Sequence, residues 1–404
     1  MNRFQILIWL LAGSLHAQPS MSVGEALEKA RQTHPALQGT AGRIAAARAG
    51  IAQARLSPNP KLFVQTENWR GWNTPGLSSS QVDTYAYLSQ PVELGGKRQR
   101  RSALAESSLL RVELERELVE RQVLVAVKQA YWGAAGAERV HRVLLQSLEN
   151  FQQVIDYHEA RVREGAMAEA DLLKVRLEGE RLALALNTSA LEAERSRIQL
   201  FRAMGQVSFP EVQLTDTLET PVGAPVADME AALASRLEIK IAQAAKDEAA
   251  ANLRLQQALA TPDADLVFGY KQTSGYPTVI GGVQWNLPFR NRNQGNIASA
   301  DASIRIADSD IAATAAQIRA EVKAADLEVQ MRRKQVTGTL PKLLEQAAES
   351  ARIALAAYRE GGTDLLRLLD AQRVRIDLEA LYSRALAEYR QSVTAMEAAM
   401  GVNP

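Results

Sequence analysis

Residues 277–289 read Pro-Thr-Val-Ile-Gly-Gly-Val-Gln-Trp-Asn-Leu-Pro-Phe, and the rest of the architecture follows from this segment. Apolar side chains such as Val279, Val283 and Trp285 alternate there with small or polar ones such as Gln284. Alternation with a period of two predicts a β-strand with one apolar and one polar face. Strands of about 9–11 residues have the length needed for a tilted crossing of a membrane.

Three further segments carry strand signals, at about residues 61–68, 82–92 and 265–272. A four-stranded sheet in lipid has two unpaired edges, and each unsatisfied backbone group there costs several kcal/mol. We therefore expect other copies of the chain to close the sheet. Two, three or four copies would give roughly 8, 12 or 16 strands, and only the larger numbers readily leave a water-filled lumen. The alternative is a soluble pair of β-hairpins on a helical domain.

The chain also contains an internal repeat. Arg163-Glu164-Gly165 recurs as Arg359-Glu360-Gly361, 196 residues further along (359 − 163), and Ala203-Met204-Gly205 recurs as Ala399-Met400-Gly401 at the same offset. Such a register predicts two tandem structural repeats, each with a helix, two strands, a long helix, a tight turn and a helix. The predicted domains are a signal peptide at 1–17, a first repeat at 18–206, a linker at 207–228 and a second repeat at 229–404.

Long helices are predicted in both halves. Apolar residues follow a heptad spacing, for example Ile304, Ile311 and Ile318, which is typical of coiled coils. The first long helix, from about Arg98 to Glu164, would be roughly 100 Å long. This helix also carries a second apolar stripe on another face. The two stripes predict that other helices pack against it on two sides, as in a closed cylinder or a layered bundle. A rod-like coiled-coil protein is the alternative, although it leaves the strands unexplained. Bends are expected at Gly133, Gly136 and Gly338–Pro341.

The N-terminus predicts export, because a basic start is followed by an apolar run that ends near Ala17. A membrane anchor is the alternative, but roughly 12 apolar residues are too few to span the hydrocarbon core.

Composition excludes several classes of function. The chain has 47 Lys and Arg against 46 Asp and Glu, which argues against binding to nucleic acid. With 0 Cys and 4 His it offers no disulfide scaffold and little for a zinc site. Gly95-Gly96-Lys97-Arg98 lacks the upstream glycine and the hydroxyl residue of a phosphate-binding loop. We find no catalytic constellation and predict neither an enzyme, nor a cofactor, nor a resident metal.

Together these features resemble the TolC-like outer-membrane efflux family. Within it, Gln90-Pro91-Val92-Glu93-Leu94-Gly95-Gly96-Lys97-Arg98 and Leu287-Pro288-Phe289-Arg290-Asn291-Arg292-Asn293-Gln294-Gly295 resemble the strand-to-helix joints of the heavy-metal branch, of the cobalt–zinc–cadmium resistance type. The resemblance implies a mainly α fold with a small membrane β part. A homotrimer would form a 12-stranded β-barrel in the outer membrane of a Gram-negative bacterium, continued by long helical hairpins as an α-barrel in the periplasm.

The resemblance implies a passive duct that exports divalent heavy-metal cations. It would receive them from an inner-membrane efflux pump and a periplasmic adaptor (membrane fusion) protein. A multidrug or type I protein-secretion duct is the alternative within transport. A periplasmic structural coiled-coil protein is the alternative from another class.

Site residues are carried over from the family by position. The two tight turns would narrow the periplasmic end of the duct and receive the adaptor, although any one of these side chains could serve the turn alone. The predicted gate and docking residues are Val162, Glu164, Gly165, Ala166, Tyr358, Glu360, Gly361, Gly362 and Thr363.

Further predictions concern charged residues. Asp370 matches a position that forms an aspartate ring in the best-known family member, but Arg367 stands where that member has a second Asp, so an Arg367–Asp370 pair is the alternative. For Asp171 and Asp364 we expect capping of helix starts.

Cations at the inner rim of the barrel would meet anionic lipid headgroups or carboxylates, an ordinary solvated helix start being the alternative. The rim residues in this prediction are Lys97, Arg98, Arg290 and Arg292.

Overall fold

The computed structural model of the chain describes residues 19–68, 82–219, 223 and 225–402. The predicted signal peptide, residues 1–17, lies outside the described residues. The first half comprises β1 (Ser20–Met21), α1 (Val23–Thr33), α2 (Pro35–Ala54), β2 (Lys61–Glu67), β3 (Asp83–Val92), α3 (Lys97–Arg163) and α4 (Glu169–Ala203).

The second half follows the same order of elements. Its counterpart of α3 is divided into two α-helices by a short π-helical turn. The elements are β4 (Gln213–Leu214), α5 (Met229–Ser235), α6 (Leu237–Leu259), β5 (Ala264–Thr273), β6 (Tyr276–Trp285), α7 (Gln294–Lys334), the π-helical turn Gln335–Thr339, α8 (Leu340–Arg359) and α9 (Leu365–Ala399). Among the helices described, we find none with the length and apolar character of a membrane-crossing helix.

The four predicted strands form one antiparallel sheet in the order β2-β3-β5-β6. The two halves of the chain meet in its centre, where Leu88 of β3 pairs with Phe268 of β5. Strands β2 and β6 lie at the ends of this order, so each has an edge that no described strand of the chain pairs. This is the incomplete sheet that the sequence predicted.

One strand is shorter than predicted, because β6 ends at Trp285 and not near Phe289. Trp285 pairs with Ala264, the first residue of β5, so residues beyond it have no partner in the neighbouring strand. Pro288 also lacks the N–H group that a ladder would need. The segment 286–289 therefore belongs to the connection to α7.

The two faces of the sheet differ in chemistry, as the alternation predicted. On one face Leu62, Phe268 and Val279 are exposed by 69 to 77% of their surface, which fits contact with an apolar solvent. On the other face, aromatic rings and a cation interact with one another. The Phe63 and Tyr87 rings stack with centroids 4.6 Å apart, and Lys271 Nζ lies 5.2 Å from the centre of the Tyr85 ring.

The predicted bends have different outcomes. Helix α3 continues without interruption through Gly133 and Gly136. A Cβ atom at Gly136 would lie only 2.4 Å from the Cβ of Ala387, so this glycine lets α3 and α9 approach closely instead of bending the helix. The bend expected at 338–341 coincides with the π-helical turn, which interrupts the helix where Pro341 removes a backbone donor.

Residues 207–219, the first part of the predicted linker, pack onto the core. Its strand β4 pairs in parallel with β1 near the N-terminus. Asp216 of the linker accepts a hydrogen bond of 2.8 Å from the Tyr131 hydroxyl, and that hydroxyl lies 3.0 Å from the carbonyl of Met21. The buried Arg390 of α9 donates to the carbonyl of Thr217. The N-terminal segment and the linker therefore hold α3 and α9 together near the middle of α3.

We expect Gly136→Ala to lower the thermal stability of the protein, because the added methyl group would overlap Ala387 and force α3 away from α9. Overpacking of this kind costs about 1–3 kcal/mol. The matched control is Gly42→Ala on α2, where a Cβ would meet no atom within 4 Å. That change should be neutral or stabilise by up to about 1 kcal/mol. Equal melting temperatures for Gly136→Ala and wild type would contradict the close packing.

Candidate functional site

The two predicted turns close the α3–α4 and α8–α9 hairpins in the same way. Gly165 and Gly361 adopt φ angles of 71° and 76°, in the left-handed region that favours glycine. After each glycine, the next amide donates back to a carbonyl of the preceding helix, from Ala166 to Arg161 at 2.9 Å and from Gly362 to Ala357 at 2.8 Å. This pattern is the Schellman motif, and it reverses the chain sharply.

The residues predicted for the gate lie together at these two turns. The half-buried side chains of Val162 and Tyr358 point into the hairpins, and Thr363 is also half-buried. The remaining predicted residues are exposed at the tips: Glu164, Gly165, Ala166, Glu360, Gly361 and Gly362.

The helices that leave the turns begin differently. Asp364 caps α9, because its side chain accepts a hydrogen bond of 2.9 Å from the backbone N–H of Arg367. Ala168 occupies the corresponding position of α4 and gives no side-chain cap. Asp171 lies inside the helix and binds Lys174 at 3.1 Å. The capping prediction is therefore confirmed for Asp364 and wrong for Asp171.

A buried histidine ties the two hairpins together near the tips. His158 of α3 is fully buried, and its Nε2 lies 2.8 Å from the hydroxyl of Tyr358 on α8. The two rings stack with centroids 5.5 Å apart. The Nδ1 atom of His158 lies 2.6 Å from the carbonyl oxygen of Val154.

The carbonyl of Val154 determines which group donates in the hydrogen bond between His158 and Tyr358. A carbonyl oxygen only accepts, so Nδ1 of His158 carries the proton. In the neutral ring Nε2 is then an acceptor, and the Tyr358 hydroxyl donates to it. Burial raises the pKa of Tyr358, and the nearby Asp171 carboxylate raises it further. The phenol therefore keeps the proton that it donates.

A shared carboxylate ties α4 to α9. Glu178 of α4 accepts hydrogen bonds from Arg181 at 2.7 Å and from Arg373 of α9 at 2.5 Å. Partial burial on its own raises the pKa of Glu178. The hydrogen bonds from Arg373 and Arg181 outweigh burial, and the pKa lies below its ordinary value. The Glu178 carboxylate is therefore ionised at neutral pH.

The two residues predicted for a charge ring, Arg367 and Asp370, are both exposed on α9. They line a groove between α8 and α9. Within the residues that the structure describes, no ion pair joins them inside one chain, and an Arg367–Asp370 pair that latches neighbouring helices stays a prediction. A ring formed by several copies of Asp370 stays a prediction.

The four rim cations have unlike surroundings. Lys97 is buried, and its Nζ lies 2.7 Å from a carboxylate oxygen of Asp263. Lys97 therefore meets a carboxylate of its own chain, and as a buried side chain it does not meet headgroups. Arg98 is exposed and donates to the hydroxyl of Ser57 at 2.9 Å. The side chains of Arg290 and Arg292 are exposed.

Sequence reasoning missed His158 and Glu178. The repeat did contain a signal for these two residues. At the offset of 196, His158 aligns with Ala354 and Glu178 aligns with Val374. A polar residue in one half that replaces an apolar one in the other marks a place where the halves differ. No metal-binding group of three or more His, Cys, Asp or Glu side chains occurs in the part of the chain that the structure describes.

Two tandem halves, a sheet with open edges and long helical hairpins that end in glycine turns define the class of outer-membrane efflux ducts. The family model described as "Outer membrane efflux protein" matches residues 26–206 and 229–402, and the chain belongs to this family. Proteins of the family are channels of the outer membrane that extend into the periplasm, and they are not enzymes. The predictions of fold class, localisation and absence of catalysis are thereby confirmed.

Three proteins are similar over most of the chain, two of them over nearly all of it. The cobalt-zinc-cadmium resistance protein CzcC of Cupriavidus metallidurans is 23% identical, covering 94% of this chain and 90% of its own length. The pyoverdine export outer membrane protein OpmQ of Pseudomonas putida is 24% identical, covering 95% and 86%. The nickel-cobalt-cadmium resistance protein NccC of Alcaligenes xylosoxydans xylosoxydans is 24% identical, covering 73% and 67%.

Among solved structures, that of CusC has the same fold. Its TM-score is 0.79 at 18% sequence identity, and the match covers 94% of this chain and 92% of that one. Channels of this family are trimers that work with an adaptor and an inner-membrane pump in tripartite systems.

We expect Glu178→Gln to lower the melting temperature at pH 7, because a neutral amide binds two guanidinium groups less well than a carboxylate. A carboxylate whose pKa is lowered by folding stabilises the protein above its unfolded pKa, about 4.3 for Glu. That stabilisation disappears as the pH falls through the folded pKa. The difference between variant and wild type should therefore be full at pH 7 and shrink as the pH falls below about 4.3 and through the folded pKa.

The control for this measurement is Glu349→Gln. Glu349 pairs with Arg352 on the surface of α8 at 2.6 Å, and an exposed pair contributes little. A loss of stability in Glu178→Gln that does not shrink when the pH is lowered from 7 to about 2, well below the unfolded pKa, would contradict the ionised tie.

Proposed function

We propose that this protein forms a homotrimeric duct that exports divalent heavy-metal cations. The duct receives them from an inner-membrane pump through a periplasmic adaptor protein. The observation that carries the duct is the four-stranded sheet, whose two end strands have unpaired edges and whose apolar face is exposed. Three copies supply about twelve strands, a number that closes around a water-filled lumen.

An exposed stripe on α4 supports assembly from several copies. Leu177, Leu184, Leu191 and Ile198 recur every seven residues on this helix, and all four are exposed in the single chain. A heptad stripe on a helix surface packs against another helix. A neighbouring copy buries this stripe when the hairpins form a cylinder.

Heavy-metal cations are the cargo that the relatives favour. Two of the similar proteins are named for resistance to cobalt together with other metals. The two strand-to-helix joints resemble the same branch. A passive duct needs no metal ligands of its own, because selection and energy come from the pump. The third relative is named for pyoverdine export, so export of an organic chelator is the second candidate function.

The helix tips form the gate in this proposal. The adaptor docks on the exposed turns around Gly165 and Gly361, and the α8–α9 hairpin then moves away from α3. Asp370 from each copy contributes a carboxylate that concentrates cations at the constriction. Arg98, Arg290 and Arg292 meet anionic headgroups or carboxylates at the inner rim of the barrel.

Deletion of the gene should lower growth of its host on zinc, cobalt or cadmium, and the cloned gene should restore it. Growth on antibiotics should not change, because the duct follows the selectivity of its pump. Restored growth on antibiotics alone would contradict metal export and favour the multidrug alternative. Loss of pyoverdine-type chelator export with unchanged metal tolerance would favour the second candidate.

Removal of the hairpin tie should open the gate. Tyr358→Phe deletes the hydroxyl that donates to the buried His158, and such a loss costs about 1–3 kcal/mol. This is enough to shift the balance of closed and open states by about tenfold. We expect a higher single-channel conductance in planar bilayers. The control Tyr157→Phe changes the neighbouring exposed ring and should behave as wild type. Wild-type conductance in Tyr358→Phe would exclude the tie from gating.

A further inference from the structure

A cavity of about 420 Å³ lies between α3, α8 and α9 near the tips. Part of its wall is aromatic, since it includes Phe151, Tyr157 and the stacked pair of His158 and Tyr358. Leu355 and other aliphatic side chains complete the apolar lining. A cavity of this size and character accommodates a small ring system.

The charged groups of this cavity all have one sign. Arg352, Arg359 and Arg375 line it, and no carboxylate does so among the described residues. The carboxylates paired with or close to these arginines lie on the helices outside it. Glu349 binds Arg352 at 2.6 Å, and an oxygen of Glu379 lies 3.7 Å from Arg375 Nη1, beyond hydrogen-bond distance. Low-dielectric walls with charges of one sign concentrate ions of the other sign.

One nitrogen atom of these three arginines lacks a hydrogen-bond acceptor within the described residues. The Nε atom of Arg375 is buried and has no hydrogen-bond partner in the part of the chain that the structure describes. Buried donors without a partner are rare in folded proteins, and water or a bound ligand usually explains them. The planar guanidinium group matches a carboxylate, which can accept two parallel hydrogen bonds from it.

We propose that this cavity is a binding site for a planar aromatic carboxylate. The carboxylate binds Arg375 and the neighbouring Arg352, and the ring packs against Tyr157 and the apolar wall. A small inorganic anion would satisfy the guanidinium groups but leave the aromatic wall without a contact. A neutral ring would fill the wall and leave the buried Nε of Arg375 unpaired.

The position of the cavity determines how a bound ligand affects the helices around it. The ligand touches α3 on one side and α8 and α9 on the other, next to the tie between His158 and Tyr358. It therefore holds the α8–α9 hairpin against α3 and raises the melting temperature of the protein. This inference concerns binding to the chain itself, and it holds whichever cargo the duct carries.

The test is ligand-observed ¹⁹F NMR with 6-fluoro-2-naphthoate and the purified full-length chain in detergent. Wild type should bind the probe saturably. Arg375→Gln should weaken binding about tenfold (roughly 1.4 kcal/mol), since it removes a charge-assisted contact. Arg352→Gln should weaken it as well, and because this side chain is 72% exposed the change does not threaten folding. Arg367→Gln, on α9 but outside the cavity, is the control and should bind as wild type.

Two further ligands separate the proposal from simpler explanations. The alcohol 6-fluoro-2-naphthalenemethanol has the same ring without the charge, and equal binding of it would overturn the role of the arginines. Acetate has the charge without the ring, and acetate that binds as tightly as the naphthoate would overturn the aromatic requirement. Unchanged affinity in both Arg375→Gln and Arg352→Gln, or no saturable binding to wild type, would also overturn the site. These outcomes are independent of the growth test for metal export.

Discussion

Strands β2 and β6 each present a row of backbone N–H and C=O groups that the described sheet of one chain leaves unpaired. In water these groups would be hydrated, but in lipid every unsatisfied group is costly. The apolar face of the sheet, with Phe268 and Val279 largely exposed, belongs in lipid. The two facts together require a closed assembly, because only neighbouring copies can satisfy the edges. The long helices and their tips then follow the same symmetry, because they belong to the copies whose strands close the sheet.

The halves of the chain keep the same order of elements but differ in the continuity of their long helices and in their polar contacts. Helix α3 is continuous over 67 residues, whereas its counterpart is divided into α7 and α8 by a π-helical turn. The polar contacts of His158 and Glu178 also depart from the repeat, because these two residues align with apolar residues of the other half. In the gating that we propose, these departures distinguish the fixed α3–α4 hairpin from the movable α8–α9 hairpin.

Local patterns predicted the elements well. Alternation placed the strands, and the glycines of the Arg-Glu-Gly repeats placed both turns, because these features depend on residues close in sequence. The sequence could not predict that Lys97 is buried against Asp263, or that Gly136 serves close packing with Ala387. Such contacts join residues far apart in the chain. The bond between His158 and Tyr358, for example, spans 200 residues. Their geometry depends on the crossing of helices, which no local pattern encodes.

In the gate that we propose, the kinds of contact along the helices confine opening to the tips. Near the middle of α3, Phe201 and Met396 are fully buried in the larger core cluster, under the N-terminal segment and the linker. Separating helices there would expose apolar surface at about 25 cal/mol per Å². Near the tips, a smaller cluster is supplemented by the His158–Tyr358 bond and by the carboxylate of Glu178. Water can replace such polar partners, so each contributes only about 1 kcal/mol net. A docking protein can therefore part the tips without disturbing the middle.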